Sequence, residues 1–396
     1  MNPAWLQWPQ TQTLIAAFPA GSLRFVGGAV RDALLGREVL DVDAATCLLP
    51  DETMALLEAG GIRAIPTGIA HGTVTAVIDG RSFEITTLRR DIATDGRHAE
   101  VAFTDDWQED AARRDFTMNA LYLSPDGTLS DYFGGVEDAK AGHVRFIGDA
   151  NLRITEDYLR ILRFFRFHAH YGQGAPDEAA LAACSAHASG IAALSGERVR
   201  HELLLLLKAP AAADVLQLMQ AHRILPRVLG FTVLDCSVFE HLALPAHPAV
   251  QLAAFVETAA ADKEEAFARL VTRLRLPNAL ERHIRALRQA LRQLRPDLNG
   301  AAQKRLLRKT GREDFTGAVL LSAALGGNAA LCRTMLQLAD SWTPPPFPLG
   351  GDDLIALGIP SGKALGDLLA RLEEQWEASD YTLSKDQLLV TARQSR

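Results

Sequence analysis

The chain has 396 residues, of which 48% are hydrophobic and 22% are charged. This length allows more than one hydrophobic core, and this composition is typical of a soluble, globular protein. The formal net charge of −7 excludes a global positive field, so any binding of nucleic acid must depend on local clusters of basic residues.

A glycine pair and two acidic residues mark the N-terminal part of the chain. Residues Phe25–Asp32 read FVGGAVRD, and residues Asp41–Asp43 read DVD. The two glycines precede a predicted helix and carry no Cβ, so backbone N–H groups can approach a phosphate group closely. Arg31 follows one turn into that helix. Taken alone, this arginine would form a surface ion pair with Asp32.

The segment Leu40–Thr46 is a predicted strand. Side chains alternate along a strand, so Asp41 and Asp43 are expected on the same face. Two carboxylates on one face can bind Mg²⁺, which prefers oxygen ligands and keeps coordination positions for substrate phosphates. By itself, an Asp-x-Asp pair at a strand end is more often solvated surface.

Further short strands follow up to about Gly148, and they indicate a mixed α/β region. Glu84, in the predicted strand Phe83–Thr87, is a candidate third carboxylate. The alternative is that it is an ordinary residue of an alternating strand. The charged, aperiodic stretch Arg90–Ala99 is predicted to be a mobile loop. The predicted strands are Val74–Ile78, Phe83–Thr87 and Ala120–Leu123.

Residues Arg113–Ala120 read RRDFTMNA at the end of this region. As an isolated string, they also suit a helix N-terminus, with Asp115 capping backbone N–H groups and both arginines in solvent. From about Asn151 the apolar spacing changes to a helical period and remains helical to the end of the chain.

Residues Glu156–Phe167 read EDYLRILRFFRF and are predicted to be helical. On a helix, Asp157 and Arg160 share a face and present a hydrogen-bond acceptor beside a donor. Cytosine and adenine offer the complementary donor beside an acceptor, whereas uracil and guanine offer the reverse order. Arg163 and Arg166 continue at the same spacing among apolar residues, and buried arginines need anionic partners. The alternative is a solvated arginine stripe with an i,i+3 salt bridge.

The C-terminal part is predicted to be all helical, with breaks at Ala209-Pro210, Arg295-Pro296 and Thr343–Pro346. The segment Glu197–Glu202 is expected to supply structural ion pairs. Four arginines at three- and four-residue spacing are predicted to form one helical edge that suits RNA phosphates, with a solvated helix face as the alternative. These are Arg285, Arg288, Arg292 and Arg295.

In this order, four blocks of the sequence resemble the class II tRNA nucleotidyltransferases, which comprise the CCA-adding enzymes and their bacterial poly(A) polymerase relatives. The resemblance is strong over roughly the first half of the chain and loose beyond Lys208. The blocks are Phe25–Asp43, Pro66–Thr75 leading into Phe83–Arg89, Arg113–Ala120 and Glu156–Phe167.

The resemblance implies an α+β fold with four parts: a nucleotidyltransferase head (1–148), neck helices that read the base (149–208), a helical body (209–342) and a helical tail (343–396). It implies Asp41 and Asp43 as catalytic metal ligands, Glu84 as a candidate third ligand, and Mg²⁺ as the cofactor. It assigns nucleotide binding to Gly28, Arg31, Arg114, Asp115, Asn119, Asp157, Arg160, Arg163 and Arg166. Among these, Arg114 is expected at the phosphates, and Asp115 and Asn119 at the ribose hydroxyls.

The activity implied is the addition of CCA to the 3′ end of tRNA from CTP and ATP, without a nucleic-acid template. A bacterial poly(A) polymerase is the nearest alternative, although Thr67–Thr73 (TGIAHGT) resembles the tRNA enzymes. An enzyme that adds A only or CC only is a second alternative, because Arg90–Ala99 is about one residue short and lacks the usual aromatic residue at Thr94. A third alternative is a catalytically inactive RNA-binding relative. The presence of Asp41, Asp43, Arg114 and Asp157 argues against it, because binding alone would not require paired metal ligands.

No apolar run reaches membrane-spanning length, and the N-terminus lacks a basic segment before an apolar stretch. The four cysteines lie far apart without a Cys-x-x-Cys motif, which favours free thiols over disulfides or a zinc site. We therefore expect a cytoplasmic protein without membrane association. The resemblance implies tRNA, ATP and CTP as partners and implies no protein partner.

Overall fold

The computed structural model describes residues 1–94, 99–242 and 246–394. Within these ranges, none of the helices combines the length and the apolar character needed to cross a membrane. The chain divides into two compact units. The first unit consists of Met1–Thr232 and Ala268–Arg275, and the second unit consists of Val233–Phe267 and Leu276–Arg396.

A seven-stranded sheet organises the N-terminal part of the first unit, in the order β3-β4-β5-β2-β1-β8-β9. β2 and β5 run parallel and the other neighbours run antiparallel, so the sheet is mixed, as predicted. The strands are β1 (Leu23–Val26), β2 (Asp43–Thr46), β3 (Arg63–Gly68), β4 (Thr73–Ile78), β5 (Arg81–Thr87), β6 (Arg89–Thr94), β7 (Ala99–Phe103), β8 (Leu121–Leu123) and β9 (Leu129–Asp131).

The predicted mobile loop Arg90–Ala99 is a wrong prediction for the residues that the structure describes. β6 and β7 pair antiparallel, from Arg89 opposite Phe103 to Thr94 opposite Ala99. Cross-strand hydrogen bonds satisfy the backbone whatever the side-chain period, so the aperiodic sequence did not exclude strands. Residues 95–98 lie outside the described part of the chain.

Five helices pack around the seven-stranded sheet. They are α1 (Pro9–Ala17), α2 (Gly28–Leu34), α3 (Pro50–Ala59), α4 (Trp107–Ala112) and α5 (Gly135–Ala141). The apolar face of the sheet forms a core that includes Phe25, Val74 and Phe83 together with Leu14 of α1. The alternation of buried and exposed residues in β5 is what a half-buried strand shows, and it leaves Glu84 on the exposed face.

The helices that follow in the first unit are α6 (Ala150–Glu156), α7 (Leu159–Tyr171), α8 (Glu178–Ala186), α9 (Gly196–Leu206), α10 (Ala212–Ala221) and α11 (Leu225–Leu229). α7 buries Phe164 and Phe165 completely and packs against α9. The single helix predicted from Glu156 is wrong at its start, because Asp157 is extended (φ −154°) and separates α6 from α7. The carboxylate of Asp157 accepts the Leu159 N–H at 3.1 Å, a bond that favours a helix start over helix continuation.

The second unit is helical, and the predicted proline breaks at Arg295-Pro296 and Thr343–Pro346 fall between its helices. α14 begins in the second unit and ends in the first. The helices are α12 (Val238–His241), α13 (Pro248–Glu257), α14 (Lys263–Leu274), α15 (Asn278–Leu291), α16 (Gly300–Thr310), α17 (Arg312–Ala324), α18 (Ala329–Ser341), α19 (Gly351–Ala356), α20 (Lys363–Ala378) and α21 (Lys385–Gln394).

Candidate active site

A cavity of about 400 Å³ opens where β1, β2 and β5 meet the start of α2 and the side of α7. It brings together the glycine pair, acidic residues from two neighbouring strands and several arginines that lie far apart in the sequence. Its lining residues include Gly27, Gly28, Arg31, Asp43, Glu84, Arg113, Arg114, Asp115, Asn119, Arg163 and Phe167.

Acidic side chains converge at the first residue of β2. The parallel register pairs Ala44 with Ile85, so the preceding residues Asp43 and Glu84 lie side by side on β2 and β5. Asp41 precedes β2; it and Asp43 are exposed, with buried Val42 between them, as strand-like alternation requires. Although Asp43 is reached by solvent, partial burial of its carboxylate raises its pKa to about 6, and repulsion from Glu84 and Asp41 adds to this while Arg114 opposes it. Such a concentration of carboxylate charge suits a divalent cation.

Gly27 shapes the cavity through its backbone. Its φ of +71° lies in the region that side chains with a Cβ rarely adopt, and α2 begins at the next residue, Gly28. A Cβ on Gly27 would stand 3.7 Å from Nη1 of Arg114, within the space beside the cavity. The first-turn N–H groups of α2 have no helical acceptor, so they remain available to an anion.

Arg31 is held rigidly beside the cavity by three partners. Its guanidinium donates to Asn119 Oδ1 at 2.5 Å, to Asp32 Oδ1 at 3.0 Å and to Tyr171 Oη at 2.6 Å. The same group lies 4.1 Å from the centre of the Tyr171 ring. The ion pair with Asp32 is therefore present, but Arg31 is buried, so it is not the surface pair that the sequence offered as an alternative. Arg31 also lines the cavity. Tyr171, at the end of α7, was missed by the sequence reasoning, because no local pattern links it to a residue of α2.

Arg114 is anchored by two buried residues that the sequence reasoning also missed. Its guanidinium donates to Tyr122 Oη at 3.1 Å and to Asp110 Oδ2 at 3.2 Å, and the same carboxylate accepts the Tyr122 hydroxyl at 2.6 Å. Burial alone would raise the pKa of Asp110, but Arg114 and Arg113 outweigh it and hold that pKa below its usual value. The i,i+3 and i,i+4 spacing from Asp110 to the two arginines was a readable signal for these pairs.

A second ion-pair network links the head to α7 and α9. Asp115 accepts hydrogen bonds from Asn119 Nδ2 at 2.9 Å and Arg163 Nε at 2.8 Å, and these bonds hold its pKa below the usual value despite burial. Buried Glu202 on α9 accepts from Arg166 Nε at 2.6 Å and lies 3.7 Å from Arg163. The anionic partners expected for the arginines of α7, and the structural ion pairs expected of Glu202, are both present.

Asp157 and Arg160 do not pair with each other. Asp157 accepts from Arg198 at 2.7 Å, whereas Arg160 donates to Glu156 at 2.5 Å and to the Arg153 carbonyl at 2.8 Å. The expected shared helix face is absent, because Asp157 lies in the turn before α7. Asp157 borders a second cavity of about 550 Å³, which is also lined by Tyr158, Ser195, Arg198 and Arg273.

The predicted edge of four arginines needs correction. Arg288 is 2% exposed and pairs with Glu257 at 2.8 Å and Glu264 at 3.0 Å, so it belongs to the interior of the second unit. Its position on the inner face of α15 follows from the apolar residues Ile284 and Leu287 beside it, which are fully buried. Arg295 lies beyond the end of α15. Arg285 and Arg292 are exposed as expected, and each pairs with a glutamate.

Two family models match parts of the chain. Residues 23–145 match the poly A polymerase head domain, and residues 175–232 match the probable RNA and SrmB-binding site of polymerase A. The first match contains the seven-stranded sheet and the cavity residues up to Asn119, and the second contains α8 to α11.

Relatives along most of the chain define the family further. The mitochondrial CCA tRNA nucleotidyltransferase 1 of Mus musculus is 38% identical over 388 residues, which are 93% of this chain and 85% of that protein. The CCA-adding enzyme of Geobacillus thermodenitrificans is 43% identical over 197 residues, 49% of this chain and 48% of that enzyme. The crystal structure of the Bacillus stearothermophilus CCA-adding enzyme in complex with CTP covers 98% of both chains with a TM-score of 0.81 at 27% identity. This chain belongs to the CCA tRNA nucleotidyltransferase family.

Proposed function

We propose that this protein adds cytidine, cytidine and adenosine to the 3′ end of tRNA, using CTP and ATP. The observation that carries the proposal is one cavity in which carboxylates from β2 and β5 face the glycine start of α2 and the anchored side chains of Arg31 and Arg114. Nucleotidyl transfer needs this combination, because the arginines and backbone N–H groups bind the negatively charged triphosphate while the acidic groups hold a metal ion beside it.

We assign the binding of the nucleotide to side chains that the protein already holds in place. Arg31 and Arg114 are fixed by Asn119, Tyr171, Asp110 and Tyr122, so they can meet the triphosphate oxygens without a large loss of side-chain entropy. The first-turn N–H groups after Gly27 supply further donors to phosphate. Preorganised donors of this kind stabilise the charge that develops as pyrophosphate leaves.

Asp115 and Asn119 are the residues that we assign to the ribose hydroxyls. They are joined by a 2.9 Å hydrogen bond, and the orientation of each is fixed by an arginine, Arg163 for Asp115 and Arg31 for Asn119. An acceptor aimed at a 2′-hydroxyl is how a protein separates ribonucleotides from deoxyribonucleotides.

Asp41, Asp43 and Glu84 are the groups that we propose to hold the divalent metal ion, and Mg²⁺ is the ion that an all-carboxylate donor set suits best. Among the described residues, these three carboxylates have no basic side chain within ion-pair distance, whereas Asp110 pairs with two arginines and Asp115 with one. A bound divalent ion lowers the pKa of the attacking 3′-hydroxyl and offsets charge on the leaving pyrophosphate.

Base selection is assigned to Asp157 with Arg160, and Arg166 with Arg163 is assigned to support it. In this proposal the incoming base exchanges the present partners, Arg198 for Asp157 and Glu156 for Arg160, for its own Watson–Crick edge. Cytosine and adenine satisfy both side chains, whereas uracil and guanine leave a carboxylate facing a carbonyl oxygen.

The four-part division and the location are also proposals. The head (1–148) carries the acids, the neck (149–208) reads the base, and the body (209–342) and tail (343–396) bind tRNA. The cysteines at positions 47, 184, 236 and 332 are free thiols, which supports a cytoplasmic location. The vertebrate relatives are named mitochondrial proteins, so an assay of the protein's compartment in its own cell is the direct test.

One assay separates this function from its alternatives. The purified protein is incubated with CTP, ATP or both, and with tRNA transcripts that lack one, two or all three of the terminal nucleotides, and the 3′ ends are sequenced. Completion of CCA on all three transcripts, followed by arrest, is the expected result. Runs of adenosine would identify a poly(A) polymerase, and arrest after CC or failure on CC-less tRNA would identify a partial enzyme. A preparation of Asp43→Asn made in parallel controls for the host's own enzyme.

A further inference from the structure

A cluster of two histidines and two acids joins three helices of the second unit, far in sequence from the acids of the head. His247 caps the start of α13, His283 lies on α15, and Glu313 and Asp314 lie in the first turn of α17. Glu313 Oε1 is 3.7 Å from His247 Nε2 and 3.9 Å from His283 Nε2. Asp314 Oδ1 is 2.8 Å from His283 Nε2, and the two imidazole rings are 4.5 Å apart.

Within the described part of the chain, one oxygen of the Asp314 carboxylate is buried without a hydrogen bond. This oxygen, Oδ1, receives none from the described residues, although it lies 2.8 Å from His283 Nε2. Neither Glu313 nor Asp314 has a lysine or arginine within ion-pair distance among the same residues. A buried acceptor without a donor costs stability, so a cation that coordinated this oxygen would remove that cost.

We propose that His247, His283, Glu313 and Asp314 bind one zinc ion. Zinc takes histidine nitrogen and carboxylate oxygen at about 2.0–2.2 Å in a tetrahedral arrangement, which places neighbouring ligand atoms roughly 3.3–3.6 Å apart. The 3.7 and 3.9 Å separations are close to that value, and the candidate ligand atoms of His247, His283 and Glu313 lie within 4.8 Å of one another. Asp314 Oδ1 is 2.8 Å from His283 Nε2, so this pair must move apart by roughly 0.5–0.8 Å for Asp314 to be the fourth ligand. A magnesium ion would not favour two imidazoles, so this site differs in chemistry from the all-carboxylate group of Asp41, Asp43 and Glu84.

Zinc binding changes one existing hydrogen bond. His247 Nδ1 accepts the N–H of Ala249 at 3.2 Å, so the proton of the neutral ring lies on Nε2. Coordination through Nε2 moves that proton to Nδ1 and gives up this long cap bond. In exchange, the ion takes four ligand atoms and the buried Asp314 oxygen gains its partner.

The structural effect is to tie α13, α15 and α17 together near their ends. α15 also carries Arg285, and Arg292 follows at its end; these are two exposed arginines of the edge predicted to bind RNA. A bound zinc ion therefore stabilises the helix that presents these arginines, without taking part in the chemistry of the head. The inference does not depend on the proposed function, because it concerns a separate set of residues.

The test uses the full-length chain with Asp41→Asn and Asp43→Asn, so that binding by the acids of the head is weakened. After metal is removed with a chelator, Co²⁺ is titrated while the visible absorption is recorded, and Zn²⁺ affinity is measured in competition with a chromophoric chelator. One equivalent of tetrahedral Co²⁺ absorption, its displacement by Zn²⁺ and a higher thermal midpoint with Zn²⁺ are the expected results.

Three variants, made in the protein that carries Asp41→Asn and Asp43→Asn, locate the ligands, and a fourth serves as a control. Glu313→Gln and Asp314→Asn keep the side-chain shape, and His283→Ala removes one imidazole; each should weaken Zn²⁺ binding at least tenfold. His241→Ala removes an exposed histidine of the same unit and should leave the affinity unchanged. The proposal is overturned if the parent protein binds no Co²⁺ at micromolar concentrations, or if Glu313→Gln and Asp314→Asn both bind Zn²⁺ as tightly as the parent.

Discussion

At the scale of single residues, the cavity separates two kinds of charge. Arg31 and Arg114 are each paired with a carboxylate inside the protein, so they are fixed before a nucleotide arrives. Asp43 has no such partner among the described residues, and its pKa is raised to about 6 by burial and by its acidic neighbours. The two arginines are thus neutralised by carboxylates of the protein, whereas Asp43 is left to be neutralised by a cation from outside.

The first prediction concerns Asp43. Replacing it with Asn should reduce the addition of both C and A to below a few per cent, because one metal ligand is lost. The thermal midpoint should stay equal or rise slightly, since the change removes repulsion from Glu84 and Asp41. Incorporation of labelled CTP and ATP, tRNA binding by filter retention and thermal unfolding provide the three measurements. Glu58→Gln is the control, because Glu58 is an exposed acid of α3 that does not line the cavity. Retained activity in Asp43→Asn would remove Asp43 from the metal group.

The second prediction concerns Asp157. Asn at this position keeps the size of the side chain but presents a donor as well as an acceptor, and it weakens the pair with Arg198. The kcat/KM for CTP and ATP should fall by the factor that corresponds to about 1–3 kcal/mol, the value of one bidentate base contact. Acceptance of UTP and GTP relative to CTP and ATP should rise. Single-nucleotide incorporation with each of the four triphosphates measures both effects. An unchanged preference with lower activity would show that Asp157 supports the fold and does not read the base.

At the scale of helices and strands, the fold joins residues that no local pattern connects. Strand alternation alone predicts Asp41 and Asp43 on one face, and helical spacing identifies the arginines of α7. The proximity of Glu84 to Asp43 depends on the parallel pairing of β2 with β5, which the sequence does not encode locally. The turn at Asp157 was missed because the helical spacing of the apolar residues around it predicts one continuous helix. The Asp157 carboxylate instead accepts a backbone N–H and so interrupts the helix.

Tyr171 provides a prediction at this scale, because it ties the end of α7 to Arg31 on α2. Tyr171→Phe removes the 2.6 Å hydrogen bond to Arg31 but keeps the ring. The KM for nucleotide should rise by roughly two- to tenfold, the range expected for one hydrogen bond, while kcat changes less. Tyr171→Ala also removes the stacked ring and should have the larger effect. Steady-state kinetics with varied CTP measure both variants, and a wild-type KM in Tyr171→Phe would show that Asn119 and Asp32 position Arg31 without it.

The corrected arginine edge of α15 gives a further prediction. The double variant Arg285→Gln, Arg292→Gln should raise the KM for tRNA. The slope of log KM against log salt concentration should decrease by about 1 for each phosphate group that is no longer bound. A short RNA mimic of the acceptor end should react almost normally. Arg288→Gln, in contrast, removes the ion pair between this arginine and buried Glu257. Its main effect should therefore be a lower thermal stability, with little change in tRNA affinity. Equal losses on tRNA and on the mimic in the double variant would exclude this edge as a tRNA-binding surface.

At the scale of the whole molecule, the order of the chain does not follow the order of the units. The segment Ala268–Arg275 belongs to the first unit, although it follows a stretch that belongs to the second. Arg273 holds this segment in place: its guanidinium donates to the carbonyl groups of Ile191 at 2.8 Å and Leu194 at 3.1 Å. Leu274 beside it is completely buried.

The last prediction follows from this anchor. Arg273→Ala leaves the carbonyl groups of Ile191, Leu194 and Arg227 without their charged donor, so the first unit should lose about 2–4 kcal/mol of stability. Arg275→Ala, which removes an exposed pair with Glu197, should change stability by no more than about 0.5 kcal/mol. Urea unfolding of both full-length variants, followed by tryptophan fluorescence, makes the comparison. Equal stability of the two variants would show that Arg273 does not anchor the segment.

The same segment sets an order of events during synthesis on the ribosome. The first unit can bury its last surface only after residues 233–275 have been translated, since the anchoring residues come at the end of that stretch. At about 5–20 residues per second, this is a delay of roughly two to nine seconds. During that interval the nascent chain presents an incomplete apolar surface, so a chaperone that binds such surfaces has its opportunity between the emergence of Thr232 and that of Arg275.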